Sequence, residues 1–257
     1  MSSSPRRRQK KRHPSSYRQR FYRQTIDPAG LISTLVSIRE TDLHILAPVA
    51  VDQEAKQLVY QYRNQLENYL AIHPAFLTAL APLPFDALAP PIVKKMLQAA
   101  AAAAVGPMAA VAGAIAEFVG LDLLAAGIGE VIVENGGDIF IQRSRACVTA
   151  IFAGDSPLSQ KVGLRISPAR MPLGICTSSG TVGHSLSLGK ADAVTVLAAS
   201  TPLADAAATS LGNEISSSQD INRAVIKAQT IPGLTGLVVI CGEQLGAWGE
   251  VELVRLA

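Results

Sequence analysis

Apolar and polar positions change period more than once along the chain. Residues 31–39 and 43–49 alternate as two strands around a turn at Glu40–Thr41–Asp42. Residues 52–72 then adopt helical spacing, which ends at His73–Pro74 because the residue before a proline is pushed out of helical geometry. Pro82, Pro84, Pro90 and Pro91 mark a loop, and helices are predicted over 91–104 and 107–126, with Gly106 ending the first and Pro107 opening the second. From Gly129 the period becomes strand-like. Strands are predicted over 131–133 and 139–141 around Glu134–Asn135–Gly136–Gly137–Asp138, and again over 147–152, 161–167, 173–177 and 193–198. Helices near 202–213 and 219–228 and strands over 236–241 and 251–255 follow. Strands grouped together with helices packed against them indicate an α+β fold with mixed and antiparallel sheets built from hairpins.

Composition adds scale. The chain has 257 residues, 49% of them hydrophobic but only 5% aromatic, so alanine, glycine and valine supply much of the apolar content. Such side chains favour close approach of backbones over bulky filling. The stretch from Ala99 to Gly127 is long and apolar, yet Pro107, Glu117 and Asp122 interrupt it and alanine is a weak membrane residue, so it reads as core helices rather than a membrane span.

Charge is uneven. The formal net charge is +3, but residues 1–24 hold nine arginines and lysines and no acid, leaving 14 basic and 20 acidic residues in the remainder. Residues 1–24 therefore read as a disordered basic tail, and residues 25–257 as a single domain. The tail is expected to be a solvated end rather than a nucleic-acid or anionic-membrane arm, and with no apolar segment behind it, it is not a secretory signal. Cys147, Cys176 and Cys241 are odd in number and widely spaced, which fits reduced thiols in a cytoplasm.

Three segments carry candidate chemistry. Asp205 and Thr209 lie four residues apart on the helix after the Ala193–Val194–Thr195–Val196 strand, so their oxygens share one face. A hard cation such as Mg²⁺ needs few protein oxygens and completes its shell with water and phosphate. The same residues also fit a plain helix start, with Thr201 capping, Asp205 near the favourable end of the dipole and Thr209 bonding back along the helix. Asn135–Gly136–Gly137–Asp138 is a strong hairpin signal, and its adjacent glycines would also let a ring or phosphate approach, with Asp138 beside them for a ligand hydroxyl or amide. Thr177–Ser178–Ser179–Gly180 could cradle an anion with hydroxyls and amides, and His184 could supply a proton or a phosphate contact, or the stretch could be a surface loop.

In this order, Asn135–Gly136–Gly137–Asp138, the 177–180 loop, His184, the Ala193–Val196 strand and Ala204–Asp205–Ala206–Ala207–Ala208–Thr209 resemble the ApbE-like superfamily, the FAD:protein FMN transferases. Val105–Gly106–Pro107–Met108–Ala109–Ala110–Val111–Ala112–Gly113–Ala114–Ile115–Ala116–Glu117 looks like the signature of a prokaryotic branch of that superfamily. The resemblance implies Mg²⁺ held by Asp205 and Thr209. It further implies FAD or FMN placed by Gly136, Gly137, Asp138 and residues 177–180, with Asp205 and His184 in catalytic roles and a threonine-bearing acceptor protein as partner. The transferases also carry an Ile–Ala–Lys–Gly element and a His–x–x–Asp–Pro segment. Here Val111–Ala112–Gly113–Ala114 has no lysine, and the histidine segment reads His184–Ser185–Leu186–Ser187–Leu188. The expected function is Mg²⁺-assisted binding of a phosphate-containing small molecule, first of all a flavin nucleotide, with FMN transfer as the fuller form. The alternative is a non-catalytic binding or assembly protein on the same scaffold.

Overall fold

A computed structural model describes residues 30–180 and 189–256. The described residues open with a hairpin of β1 (Ile32–Ile38) and β2 (Thr41–Ala47), whose two-residue loop places Arg39 at a positive φ. Helix α1 (Asp52–Ile72) follows, then a single turn α2 (Ala75–Thr78), α3 (Pro91–Ala103), a 3₁₀ turn at Pro107–Ala110 and α4 (Val111–Ala125). Strands β3 (Val131–Asn135), β4 (Asp138–Gln142), β5 (Cys147–Ala150), β6 (Val162–Ile166), β7 (Leu173–Ser178) and β8 (Ala193–Ala198) lead to α5 (Thr201–Asn213) and α6 (Ile221–Thr230). Strands β9 (Leu234–Cys241), β10 (Gln244–Gly249) and β11 (Leu253–Arg255) complete the described chain.

Eight strands form one antiparallel sheet in the order β1-β2-β3-β4-β7-β8-β9-β10, and β11-β6-β5 form a second, smaller one. The fold is therefore α+β, as the periodicity indicated. The helices cover one face of the large sheet and the small sheet covers the other. Along β3, Val131 and Val133 enter the helix-side core while Ile132 enters the core between the sheets. Burial on both faces explains why β3, β4 and β8 read as continuous apolar runs rather than alternating ones.

Three details correct the sequence reading. The first apolar helix ends at Ala104, which takes the left-handed conformation at φ +56°, not at Gly106. Gly106 is extended, and it is glycine because a β-carbon there would sit 1.7 Å from the Ala79 carbonyl oxygen. Thr201 does not cap α5. It is the helix's first residue, its amide donates to the Glu117 carboxylate at 2.5 Å, and no side chain of the preceding Ser200 caps the helix. Strand β10 and the turn α2 lie where no element was predicted.

The Pro107–Ala125 stretch is long and apolar enough by composition to cross a bilayer, but half of it is buried within the fold. It packs on β3, β4 and α5.

Candidate functional site

The hairpin between β3 and β4 turns through Gly136 and Gly137 alone, at φ +70° and +109°. Side chains disfavour both conformations, Gly137's most strongly, so the paired glycines are a backbone requirement. Glu134 supports the turn by accepting the Gly137 amide at 2.9 Å, and Asn135 donates its side-chain amide to the Ala112 carbonyl at 3.1 Å. The second contact ties the turn to the start of α4.

Asp205 reaches the same point from α5. It accepts the Gly113 amide at 2.8 Å and is also held by the Ala112 amide. Ala110, at the N-cap position of α4, offers no side-chain cap, so Asp205 caps that helix from another element. Close packing makes this possible, since a β-carbon on Gly113 would fall 2.6 Å from the Thr201 carbonyl oxygen and 2.9 Å from Asp205 Cβ.

Asp138 completes the cluster. It lies opposite Cys176 in the β4–β7 register, is 8% exposed, and is hydrogen-bonded to the Cys176 thiol. The Cys176 sulfur also lies 3.4 Å from the Thr201 carbonyl oxygen. Burial, and after it the charge of Asp205, pushes the Asp138 carboxyl well above the usual carboxylate range. Burial raises the half-buried Asp205 to about 7 against the lowering effect of the Gly113 and Ala112 amides. The Cys176 thiol is raised by burial and then by both carboxylates, which leaves it an inert thiol rather than a nucleophile. Two carboxyl groups that cannot both ionise freely will share a proton or take up a cation.

The donor set fits Mg²⁺. Oδ2 of Asp205 accepts the Gly113 amide, and Thr209 stands one turn along the same helix with its side chain partly exposed. Among the described residues no group of three or more histidine, cysteine or acidic side chains forms a self-sufficient metal cage.

The remaining candidates divide between the two faces of the sheet. Side chains alternate along β7, so Cys176 points to the helices and Thr177 to the opposite face, where its hydroxyl meets that of Thr195 at 2.9 Å. Only the backbone of Thr177 joins the turn, its amide donating to the Gly137 carbonyl at 3.3 Å. Ser178 returns to the helix side, with its Oγ 3.6 Å from where a β-carbon on Gly212 would lie. Ser179 follows, and Gly180 is packed backbone to backbone, its amide on the Ala191 carbonyl at 2.9 Å and its missing β-carbon 2.0 Å from the Gly189 carbonyl oxygen. His184 lies outside the described residues.

Sequence reasoning missed Glu134 and Cys176 as parts of this site. Glu134 carried a signal, being a polar residue at the end of an apolar strand beside a glycine turn. Cys176 and the Gly113 amide carried none, since both depend on register and helix packing. A hollow of about 580 Å³ lies elsewhere, lined by Tyr69, His73, Phe76 and Phe85. Asp86 also lines it, accepting the Tyr69 hydroxyl at 3.1 Å, but none of the singled-out residues do.

The family described as AbpE bacteria matches residues 23–238. A UPF0280 protein of Methanococcus aeolicus is 40% identical over 230 residues, covering 86% of this chain and 91% of its own. A UPF0280 protein of Methanosarcina acetivorans is 39% identical over 222 residues, covering 86% and 87%. Among solved structures, the flavin transferase ApbE from Vibrio cholerae superposes with a TM-score of 0.53 at 15% identity, over 87% of this chain and 97% of that one. The apo flavinyl transferase ApbE of Pseudomonas stutzeri gives 0.52 at 13% identity, over 85% and 93%.

Proposed function

We propose that this chain, which belongs to the AbpE bacteria family, binds a phosphate-containing ligand together with Mg²⁺ at the Asp205 cluster, a flavin nucleotide being the first candidate. The observation that carries the reading is the pair of carboxylates formed by the buried Asp138 and the half-buried Asp205. Burial holds both up, and Asp138 is raised further by the Asp205 charge. A cation is the simplest neutralising partner. The fold shared with the flavin transferases named above makes FAD or FMN the ligand to try first.

In this reading Asp205 and Thr209 hold the metal, Gly136, Gly137 and Asp138 place the ligand beside the turn, and Ser178 and Ser179 line its approach while Thr177 and Gly180 hold that segment through their backbones. His184 is the proton donor or phosphate contact. Bound Mg²⁺ would supply Lewis-acid stabilisation of charge on the pyrophosphate. In the fuller activity, a threonine oxygen of an acceptor protein attacks the FMN phosphorus, the bond to the AMP oxygen breaks, and AMP leaves while the hydroxyl proton passes to a base.

A second reading has its own observation. Asp205 caps α4, and a capping carboxylate can be kept for structure alone. Incubation with FAD, Mg²⁺ and threonine-containing proteins separates the two: the transferase reading expects AMP above a no-protein control, and Asp205→Asn abolishes it. Tight Mg²⁺-dependent FAD binding without AMP leaves a binder. No Mg²⁺-dependent binding at all leaves the cap.

A further inference from the structure

Strand β1 is the outermost strand of the large sheet among the described residues, and it has none of the features that usually blunt an exposed edge. Its seven residues, Ile32–Ser33–Thr34–Leu35–Val36–Ser37–Ile38, include no charge and no proline, and its pairing with β2 runs without a bulge. Leu35 is 62% exposed and Ile32 is 47% exposed. The opposite edge differs. Strand β10 contains Gly246, packed against Ile221 of α6, and ends at Gly249 with φ +81°.

The strand is also nearly palindromic about Leu35. Ile32 mirrors Ile38, Ser33 mirrors Ser37, and Thr34 mirrors its near-isostere Val36. The backbone obeys the same centre. The two-residue loop at Arg39–Glu40 makes Ile38 and Thr41 a hydrogen-bonded pair, and alternation then turns the amides and carbonyls of Ser33, Leu35 and Ser37 away from β2. A two-fold axis through Leu35 sets Leu35 against Leu35 and Ser33 against Ser37 of a second copy, so each outward group meets an outward group. A centre between two residues, which would set Leu35 against Val36, would break that parity.

We infer that β1 pairs antiparallel with β1 of a second copy of this chain, giving a two-fold dimer in which the large sheet continues across the axis. The contact is isologous, as closed dimers require. On one face the two Leu35 side chains cover each other. On the other, Thr34 meets Val36, and Ile32 meets Ile38 at either end, extending the helix-side core into which Val36 is already packed.

The test is the oligomeric state of the full chain by light scattering and sedimentation equilibrium, for the parent, Leu35→Lys and Leu35→Asp. The parent is expected to be a dimer. Each variant is expected to be a monomer with an unchanged circular dichroism spectrum, because residue 35 is exposed and like charges would face each other on the axis. An equimolar mixture of the two variants is expected to recover the dimer, since only a two-fold through this residue sets lysine against aspartate. A monomeric parent, a dimer that survives Leu35→Lys, or a mixture that stays monomeric each overturns the proposal.

Discussion

The two cores on either side of the large sheet are built from different residues. Between the sheets, Ile132, Ile139, Ile141, Leu164, Ile166, Leu173, Ile175 and Leu197 fill the space with branched side chains. On the helix side the core also holds bulky residues, Leu43, Ile45, Phe76, Ile92 and Phe140 among them, but its helices carry Ala99, Ala103, Ala114, Ala116, Ala204, Ala206, Ala207 and Ala208, with Gly113 and Gly174 where α4, α5 and β7 approach closely. Bulky side chains keep two sheets at their packing distance. Small ones let α4, α5 and β7 come near enough for amides of one element to meet carboxylates of another. Asp138, Glu117 and the half-buried Asp205 stand on the small-residue side, whereas the buried Glu134 starts from the Ile132 face and reaches the turn to accept the Gly137 amide.

Truncation between the sheets should produce the largest loss of stability. Leu164 is fully buried, and Leu164→Ala is expected to cost about 2–5 kcal/mol through lost burial and the cavity left behind. For a chain of this size that lowers the melting temperature by roughly 4–20 °C. Ligand affinity measured below the transition should stay at the parent's value. A change in affinity larger than the change in stability would show that the two cores are not separable in this way.

Enlargement on the helix side should cost less stability and more function. Gly113→Val drives a side chain into the Thr201 carbonyl and Asp205 Cβ, and overpacking of this kind costs about 1–3 kcal/mol. Because the strain falls on the amide that Asp205 accepts, Mg²⁺-dependent binding should fall at least tenfold. Calorimetry on the folded variant decides the matter, and unaltered binding would detach Gly113 from the site. Gly137→Val, at φ +109°, carries a similar strain of about 1–3 kcal/mol and should distort the turn that positions Asp138.

At acid pH the smallest stability effect is expected at Asp205. There the carboxyl is protonated and Asp205→Asn keeps an acceptor for the Gly113 amide, so the loss should stay within about 1 kcal/mol. Burial lifts this carboxyl from 3.8 to about 7, so the folded chain retains a proton that the unfolded chain releases. In the absence of metal, Asp205 therefore makes the fold progressively less stable as pH rises from roughly 4 to 7. Melting temperatures of parent and variant should converge at the acid end of that window and differ in the variant's favour near pH 8.

Periodicity was enough for most of the fold. The span of α1 was read as 52–72 and is Asp52–Ile72, because its flanking proline and apolar spacing are local signals. Strand β10 was missed because Gln244–Gly249 contains two glycines and no alternating apolar run, and only pairing with β9 makes it a strand. The helix end at Ala104 was misplaced because Gly106 is a stronger stop signal than alanine, while the constraint on Gly106 comes from Ala79, far along the chain. At the site, the glycines of the turn and Asp205 were visible in local pattern. The Asp138–Cys176 contact, the outward-facing Thr177 hydroxyl and the amides of α4 were not, since strand register and helix approach decide them.

The central claim is that Asp205 holds a cation in concert with phosphate, and the most direct measurement is calorimetric titration of Mg²⁺ into the full chain saturated with FAD at pH 6 and pH 8. The FAD pyrophosphate does not titrate in this range, so a change in affinity reports on the protein. A carboxyl titrating near 7 must lose its proton to bind the metal, which predicts about tenfold tighter binding at pH 8 than at pH 6. Asp205→Asn should abolish the binding at both. Equal affinity at the two pH values, or an Asp205→Asn variant that binds Mg²⁺ as well as the parent, would contradict the account and leave Asp205 as the cap of α4.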